Sequence, residues 1–304
     1  MSRRVLVMVL LHSGVAAAAS AAPTDATTSA SFLKLPVGAR NGAMGATGAA
    51  EASAASLYWN PAGLAAVKGR QFAYSYTSWL VDVSYQSLGY AHGADWGTLG
   101  VLAQYVSVPA IDKFDNAGAA VGSQYRPLDA LFGLAYAQNL PGFSLGAAVK
   151  HITSKLDDRS ASTVAADVGA RAGPLLGRDL YAGLAVSNIG AGLKFERERA
   201  PLPLNVKVGA AYRPSPALTL TLDANEPRAT DATLNAGVEV RVFAASGTAV
   251  LPRAGYETGR AGLGGLAGLS TGLGFDFGRF TFDYAFIPMG DFGDSHRLSL
   301  AARF

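Results

Sequence analysis

The chain has 304 residues, half of them hydrophobic and only 15% charged, with 25 Lys+Arg against 22 Asp+Glu and no cysteine. Charged residues make up about 25% of an ordinary soluble domain, so this chain has unusually few with which to cover a water-facing surface. The missing cysteines exclude a disulfide framework, an iron–sulfur centre and a zinc–thiolate site. The near balance of charge argues against a nucleic-acid partner, which needs a clustered basic face.

The N-terminus reads as an export signal. Met1 to Arg4 is basic, Val5 to Leu11 is apolar, and Ala19-Ser20-Ala21 offers a small-residue cleavage site, so residues 1–21 are expected to be a cleaved signal peptide. No later stretch approaches 18 uninterrupted apolar residues, which excludes a helical membrane protein. An exported chain this apolar must shield its surface some other way.

Residues 22–68 form an N-terminal segment, rich in Ala, Thr and Ser at first and then glycine-spaced at Gly42, Gly45 and Gly48. It ends in Tyr58-Trp59-Asn60-Pro61-Ala62-Gly63. Asn60 is placed to cap a short helical turn that Pro61 begins, and Gly63 relaxes the chain afterwards. The motif shapes this segment, or else Tyr58 or Trp59 contacts a ligand.

Period two runs through residues 69–304. Fourteen strands are expected, at 70–77, 81–91, 96–107, 127–138, 143–153, 162–172, 179–187, 204–213, 217–225, 232–242, 248–256, 262–276, 279–286 and 296–304. Leu218, Leu220 and Leu222 alternate with Thr219, Thr221 and Asp223, and Phe280, Phe282, Tyr284 and Phe286 alternate with Thr281, Asp283 and Ala285. Val81, Val83 and Tyr85 are read the same way, opposite Asp82, Ser84 and Gln86. Turns after even strands are short, as at 139–142, 214–216 and 277–279, and connections after odd strands are long, as at 109–126, 187–203 and 287–295, with the Thr77 to Leu80 link as the exception. Strands near ten residues, an even count and this alternation of turn length predict an all-β transmembrane antiparallel barrel with its apolar face to lipid. The inner face then receives Asp82, Gln86, Lys150, Lys207, Arg213, Asp223, Glu239, Arg241, Asp283, Arg297 and Arg303. Both signs are present, which favours pairing with a plug over a single-sign selectivity filter. The chain closes on Leu298, Leu300, Ala302 and Phe304 at alternate positions. This resembles the last strand of outer-membrane barrels, whose terminal aromatic is an assembly signal, and assigns that role to Phe304.

The strings Phe32-Leu33-Lys34-Leu35-Pro36-Val37-Gly38-Ala39-Arg40, Gly42-Ala43-Met44-Gly45-Ala46-Thr47-Gly48 and Ala54 to Leu64, with the tail Asp283 to Leu300, resemble the PorV/PorQ family of the FadL-like outer-membrane barrels. The resemblance covers both ends of the chain. It implies that residues 30–68 are a hatch folded into the barrel, with Tyr58 to Gly63 at its heart, and that the protein sits in the outer membrane of a Gram-negative-type bacterium. It also implies two alternative roles. One is an accessory barrel that engages secreted cargo or components of a type IX-like secretion system, with the long loops as contact surface. The other is a FadL-like transporter of long-chain fatty acids or other hydrophobic small molecules. Outer-membrane lipid and the barrel-assembly machinery are implied partners in both.

Enzymatic motifs do not hold together. Gly262-Leu263-Gly264-Gly265-Leu266-Ala267 fits a dinucleotide fingerprint, but period two follows it where a helix N-terminus is needed. His92, His151 and His296 are far apart in sequence. The sequence therefore assigns no catalytic residue, no cofactor and no metal.

Overall fold

The computed structural model describes residues 28–80, 82–115, 117–196, 198–243 and 247–304. The expected signal peptide, residues 1–21, lies outside these.

Fourteen long strands make one closed antiparallel barrel. They are β1 Gly69–Ser78, β2 Ser84–Ala94, β3 Gly97–Ser107, β4 Leu128–Leu140, β5 Phe143–Leu156, β6 Arg159–Ala172, β7 Leu180–Gly190, β8 Asn205–Ser215, β9 Leu218–Pro227, β10 Thr233–Val240, β11 Ala249–Glu257, β12 Leu269–Asp276, β13 Phe280–Pro288 and β14 Asp294–Arg303. Each pairs with its neighbours in sequence, and the ring closes where β1 meets β14, with Gln71 opposite Arg303 and Ser78 opposite His296. Between β10 and β11 the pairing runs from Asn235 opposite Glu257 to Glu239 opposite Arg253. Closure leaves no unpaired edge, which a sheet in lipid requires.

The pleat sorts the side chains. Leu134, Leu222, Leu234 and Phe282 stand exposed on the outside, Leu222 at 59%, whereas Lys150, Asp223, Asp283 and Arg297 are buried inside. The turns at 141–142, 216–217 and 277–279 gather at the end of the barrel that carries Phe304. The opposite end carries long connections, two of which fold into small ribbons: Ile111–Phe114 with Ala120–Tyr125, and Leu193–Phe195 with Glu198–Ala200. Asp157-Asp158 is a tight exception on that side.

Two expected strands differ from those observed. The second begins at Ser84 because the chain turns just before it, with Trp79 N–H bonded to Val83 O and Asp82 at φ 58°. Leu88 and Tyr90 set its outward phase, so Tyr85 is buried within the barrel and Gln86 lies on the outer side, accepting from the Tyr74 hydroxyl at 3.0 Å. Asp82 is exposed in the turn. Neither Asp82 nor Gln86 joins the lumen. The twelfth strand begins at Leu269, not 262, because a helical turn at Thr258–Ala261 and successive left-handed residues Gly264 (φ 87°) and Gly265 (φ 56°) break the extended backbone before it.

The segment before β1 holds a 3₁₀ turn at Ser31–Lys34, α1 at Ala39–Ala43, α2 at Ser56–Trp59 and a 3₁₀ turn at Pro61–Ala66. No helix among the described residues is long and apolar enough to cross a membrane. This segment packs inside the barrel, α1 against β11–β14 and the Pro61–Ala66 turn against β2–β6.

Candidate functional site: the inner segment and its two chambers

The wall is notched with glycine where the inner segment lies against it. A Cβ on Gly146 would run into the backbone of Pro61 and Ala62, one on Gly169 into Asn60 Oδ1, one on Gly183 into Ala49 O, and one on Gly255 into Gly45 N. Gly237 and Gly272 meet Met44 and Ala43 in the same way. These glycines fall on the inward phase of β5, β6, β7, β10, β11 and β12 and let backbone approach backbone, which is what interior strand glycines are for.

Wall side chains then satisfy the segment's exposed backbone groups. Asp223 accepts from Gly48 N–H at 2.6 Å and from Ala49 N–H at 2.9 Å, and Lys207 donates to Ala46 O at 3.2 Å while lying 3.6 Å from Asp223. Ser144 donates to Ala62 O, Asn139 to Ala65 O, Arg171 to Ala50 O and Arg297 to Pro36 O. Thr47 and Thr221 hydroxyls sit 2.8 Å apart. A segment with little regular structure keeps its backbone paired this way despite its burial.

The motif read from sequence forms the centre of this arrangement. Asn60 is fully buried; its Oδ1 accepts from Ala62 N–H at 3.1 Å, and its Nδ2 donates to Ala49 O and to Ala170 O of the wall. Asn60 thus caps the turn that Pro61 starts and also ties that turn to β6. Ala62 and Gly63 are buried beside it, and a Cβ on Gly63 would strike Glu51 O. Trp59 donates its indole N–H to Val37 O at 3.2 Å under the Lys207 ammonium, 4.8 Å from the ring centroid. The Tyr58 hydroxyl reaches the wall at Leu88 O and Ala103 O, and burial pushes this phenol well above its usual pKa. Phe304 stands apart from all of these at the turn end, exposed, with its ring edge toward Phe280 and its backbone paired to Arg70.

An ionic chain links the segment to the wall. Glu51 pairs with Arg40 at 2.8 Å, Arg40 with Glu239 at 2.9 Å, Glu239 with Arg253 at 2.6 Å, and Arg253 with Asp283 at 2.7 Å. Burial raises the Glu51 pKa, but the Arg40 charge and hydrogen bonds from Ala52 N–H, Asn41 and Ser53 outweigh it, and the carboxyl is held below its ordinary 4.5. Lys150, Lys207, Asp223, Glu239, Asp283 and Arg297 lie inside as the alternation requires, and Arg213, Arg241 and Arg303 line the lumen near the turn end. The pattern of residues gives Arg40 no role beyond its place in the Phe32–Arg40 string, and it singles out neither Glu51 nor the wall glycines. The signal for the glycines was available, since they share the phase of Lys150, Asp223 and Arg253.

The inner segment divides the lumen into two chambers. The chamber on the turn side, about 890 Å³, is lined by Arg40, Glu51, Glu239, Arg241, Asp276 and Arg303 among others. The one on the loop side, about 1170 Å³, is lined by Leu33, Leu35, Leu57, Trp59, Leu102 and Leu131 on one flank and by Asn188, Asn205, Asn225 and Asn235 on the other. Val37 and Tyr58 border both. Among the described residues, no group of three or more His, Asp or Glu is placed to hold a metal ion.

Residues 11–236 match the family described as Uncharacterised protein family (UPF0164). No curated protein matches the chain. Several solved structures share the fold. They include a TodX monoaromatic hydrocarbon channel mutant (11% identity, 88% of this chain and 99% of that one, TM-score 0.61) and the Ralstonia pickettii toluene transporter TbuX (14%, 88% and 98%, 0.60). A Pseudomonas aeruginosa FadL homologue is also similar (11%, 94% and 99%, 0.53).

Proposed function

This chain belongs to the uncharacterised protein family UPF0164, and we propose that it is an outer-membrane channel for small hydrophobic or amphipathic compounds, held closed by residues 30–68 acting as a hatch. The observation that carries this reading is the division of one lumen into two chambers by a segment that is docked, not threaded through the sheet. A barrel wall holds itself together by hydrogen bonds between strands, so the hatch can shift while the wall persists. The leucines and Trp59 on the loop-side chamber suit apolar matter, and fold relatives described as hydrocarbon and toluene channels support the substrate class. In this reading the long connections face outward, Leu222 and its neighbours meet lipid, residues 1–21 are removed on export, and Phe304 is the handle for the barrel-assembly machinery. Reconstituted protein should pass toluene into liposomes, and Trp59→Ala should lower that flux. Flux equal to that of empty liposomes would reject the channel.

A second reading is an accessory barrel for protein secretion, of the PorV/PorQ type that both ends of the chain resemble. It is favoured by the ribbon at Ile111–Phe114 and Ala120–Tyr125, which displays Ile111, Phe114 and Val121 to solvent. Deleting residues 110–125 should then impair handling of secreted cargo and leave toluene flux intact.

A further inference from the structure

The loop-side chamber has two unlike flanks. Leucines and Trp59 form one, and Asn188, Asn205, Asn225 and Asn235 stand on four successive strands, β7 to β10, along the other. Asn188 is committed to Lys150 and Pro203 O, and Asn235 to Gly45 O and Asn225, so the seam's claim on a ligand rests on Asn205 and Asn225, whose desolvation without a partner is costly.

Some of these amides are incompletely paired within the protein. Asn225 Nδ2 donates to Thr233 Oγ1 at 3.1 Å and to Asn235 Oδ1 at 2.7 Å, while its own Oδ1 is buried with no donor. Asn205 Oδ1 is in the same state. So is Oε1 of Gln104, a lining residue on β3 with a side chain more than nine-tenths buried. All three are acceptors, so their complement is a hydrogen-bond donor. A buried acceptor without a donor loses the free energy of the water it gave up.

The charges of the same chamber point away from an anionic ligand. Lys150 is paired with Asp167 at 2.7 Å, Lys207 with Asp223 at 3.6 Å, and Arg260 with Glu257 at 2.8 Å. Among the described residues, the exposed Lys34 is the exception among the cations that line it. A carboxylate would have to compete with an acid already in place for each embedded cation, whereas an uncharged hydroxyl needs only an acceptor.

We propose that the loop-side chamber is a binding site for uncharged molecules that join an apolar ring or chain to a hydroxyl, such as phenols and alcohols, in preference to both hydrocarbons and carboxylates. The apolar body lies on the Leu33, Leu35 and Trp59 flank, and the hydroxyl donates to Gln104 or to the amides of β8 and β9 once the side chain turns its covered acceptor toward the chamber. This rests on the channel reading for its transport consequence but not for its binding consequence.

The test uses three ligands with one ring: toluene, p-cresol and p-toluate. Binding to the purified full-length barrel is measured by titration calorimetry at known free-ligand concentration, and flux is measured separately in liposomes. p-Cresol should bind about tenfold more tightly than toluene, the scale of one good hydrogen bond, and p-toluate more weakly than p-cresol. Gln104→Met with Asn225→Leu should bring p-cresol down to toluene while heat-modifiability confirms a folded barrel. If that variant does not fold, the three-ligand order on the native protein decides. Toluene bound as tightly as p-cresol, or passed equally well, overturns the inference and leaves the channel standing. p-Toluate bound most tightly also overturns it. p-Cresol bound selectively with no flux of any ligand upholds the binding site and rejects the channel.

Discussion

The Asn60 side chain occupies the space that a Cβ on Gly169 would need. The inner segment and the wall are thus fitted to each other at the scale of one methyl group, and the fit is set by a residue with no side chain. Gly169→Ala should therefore unseat the Pro61 turn and raise ion conductance in planar bilayers. Gly262→Ala, where nothing lies within 4 Å, should leave conductance at the native level. Equal conductance in the two variants would show that the hatch is not seated through β6.

Asp223 anchors two backbone amides of the inner segment, those of Gly48 and Ala49, and faces Lys207. Asp223→Ala leaves a buried ammonium without its partner, a change that costs about 3–5 kcal/mol in comparable buried pairs. Amide exchange of residues 45–50 should accelerate strongly while the β1–β14 pairing stays protected. Protection of those amides at the native level would remove Asp223 from its anchoring role.

Leu220 and Thr219 test the faces. Leu220 is exposed on the outer side and Thr219 lines the turn-side chamber. Leu220→Arg should cost roughly 2–4 kcal/mol if it lies near the bilayer midplane, and Thr219→Arg much less. Thr221, the inward residue next along the strand, is a poor control because its hydroxyl is already committed to Thr47. Reversible unfolding in lipid vesicles gives both costs, and equal values would mean the faces are misassigned.

Glu51 gives the docking a pH dependence. Its folded-state pKa lies below 4.5 because Arg40 and three hydrogen bonds favour the carboxylate. A depressed folded value means that its contribution is complete above the unfolded pKa and is lost as the pH falls through the folded one. Conductance should therefore rise as the pH falls from the ordinary carboxylate range toward the lower value that the docked Glu51 holds. In Glu51→Gln this acid-induced step should shrink, with conductance raised already at neutral pH. An unchanged acid step in that variant would assign the step to another group.

Sequence alternation alone placed the fourteen strands, their outward-facing residues and the short turns, because period two in a closed sheet leaves each side chain only two directions. It failed at Asp82 and Gln86, where a turn reset the phase of β2. It failed again at 262–268, where paired glycines left the extended region. The motif Tyr58 to Gly63 was legible as a capped turn, but its seat was not. Contacts such as Asn60 to Gly169 and Gly45 to Gly255 span more than a hundred residues and leave no local pattern. The ionic chain from Glu51 to Asp283 was visible only in part, as inward charges without partners.

In the proposed channel, residues 30–68 close the lumen and must move for solute to pass. Thr47 and Thr221 hydroxyls lie 2.8 Å apart across the boundary between segment and wall, and the chain has no native cysteine. Thr47→Cys with Thr221→Cys therefore places two sulfurs where these hydroxyls meet, within bridging reach of each other. Toluene flux through liposomes is measured with this pair oxidised and again after reduction. Flux should be blocked in the oxidised protein and restored by reductant. Equal flux in the two states would contradict that closure.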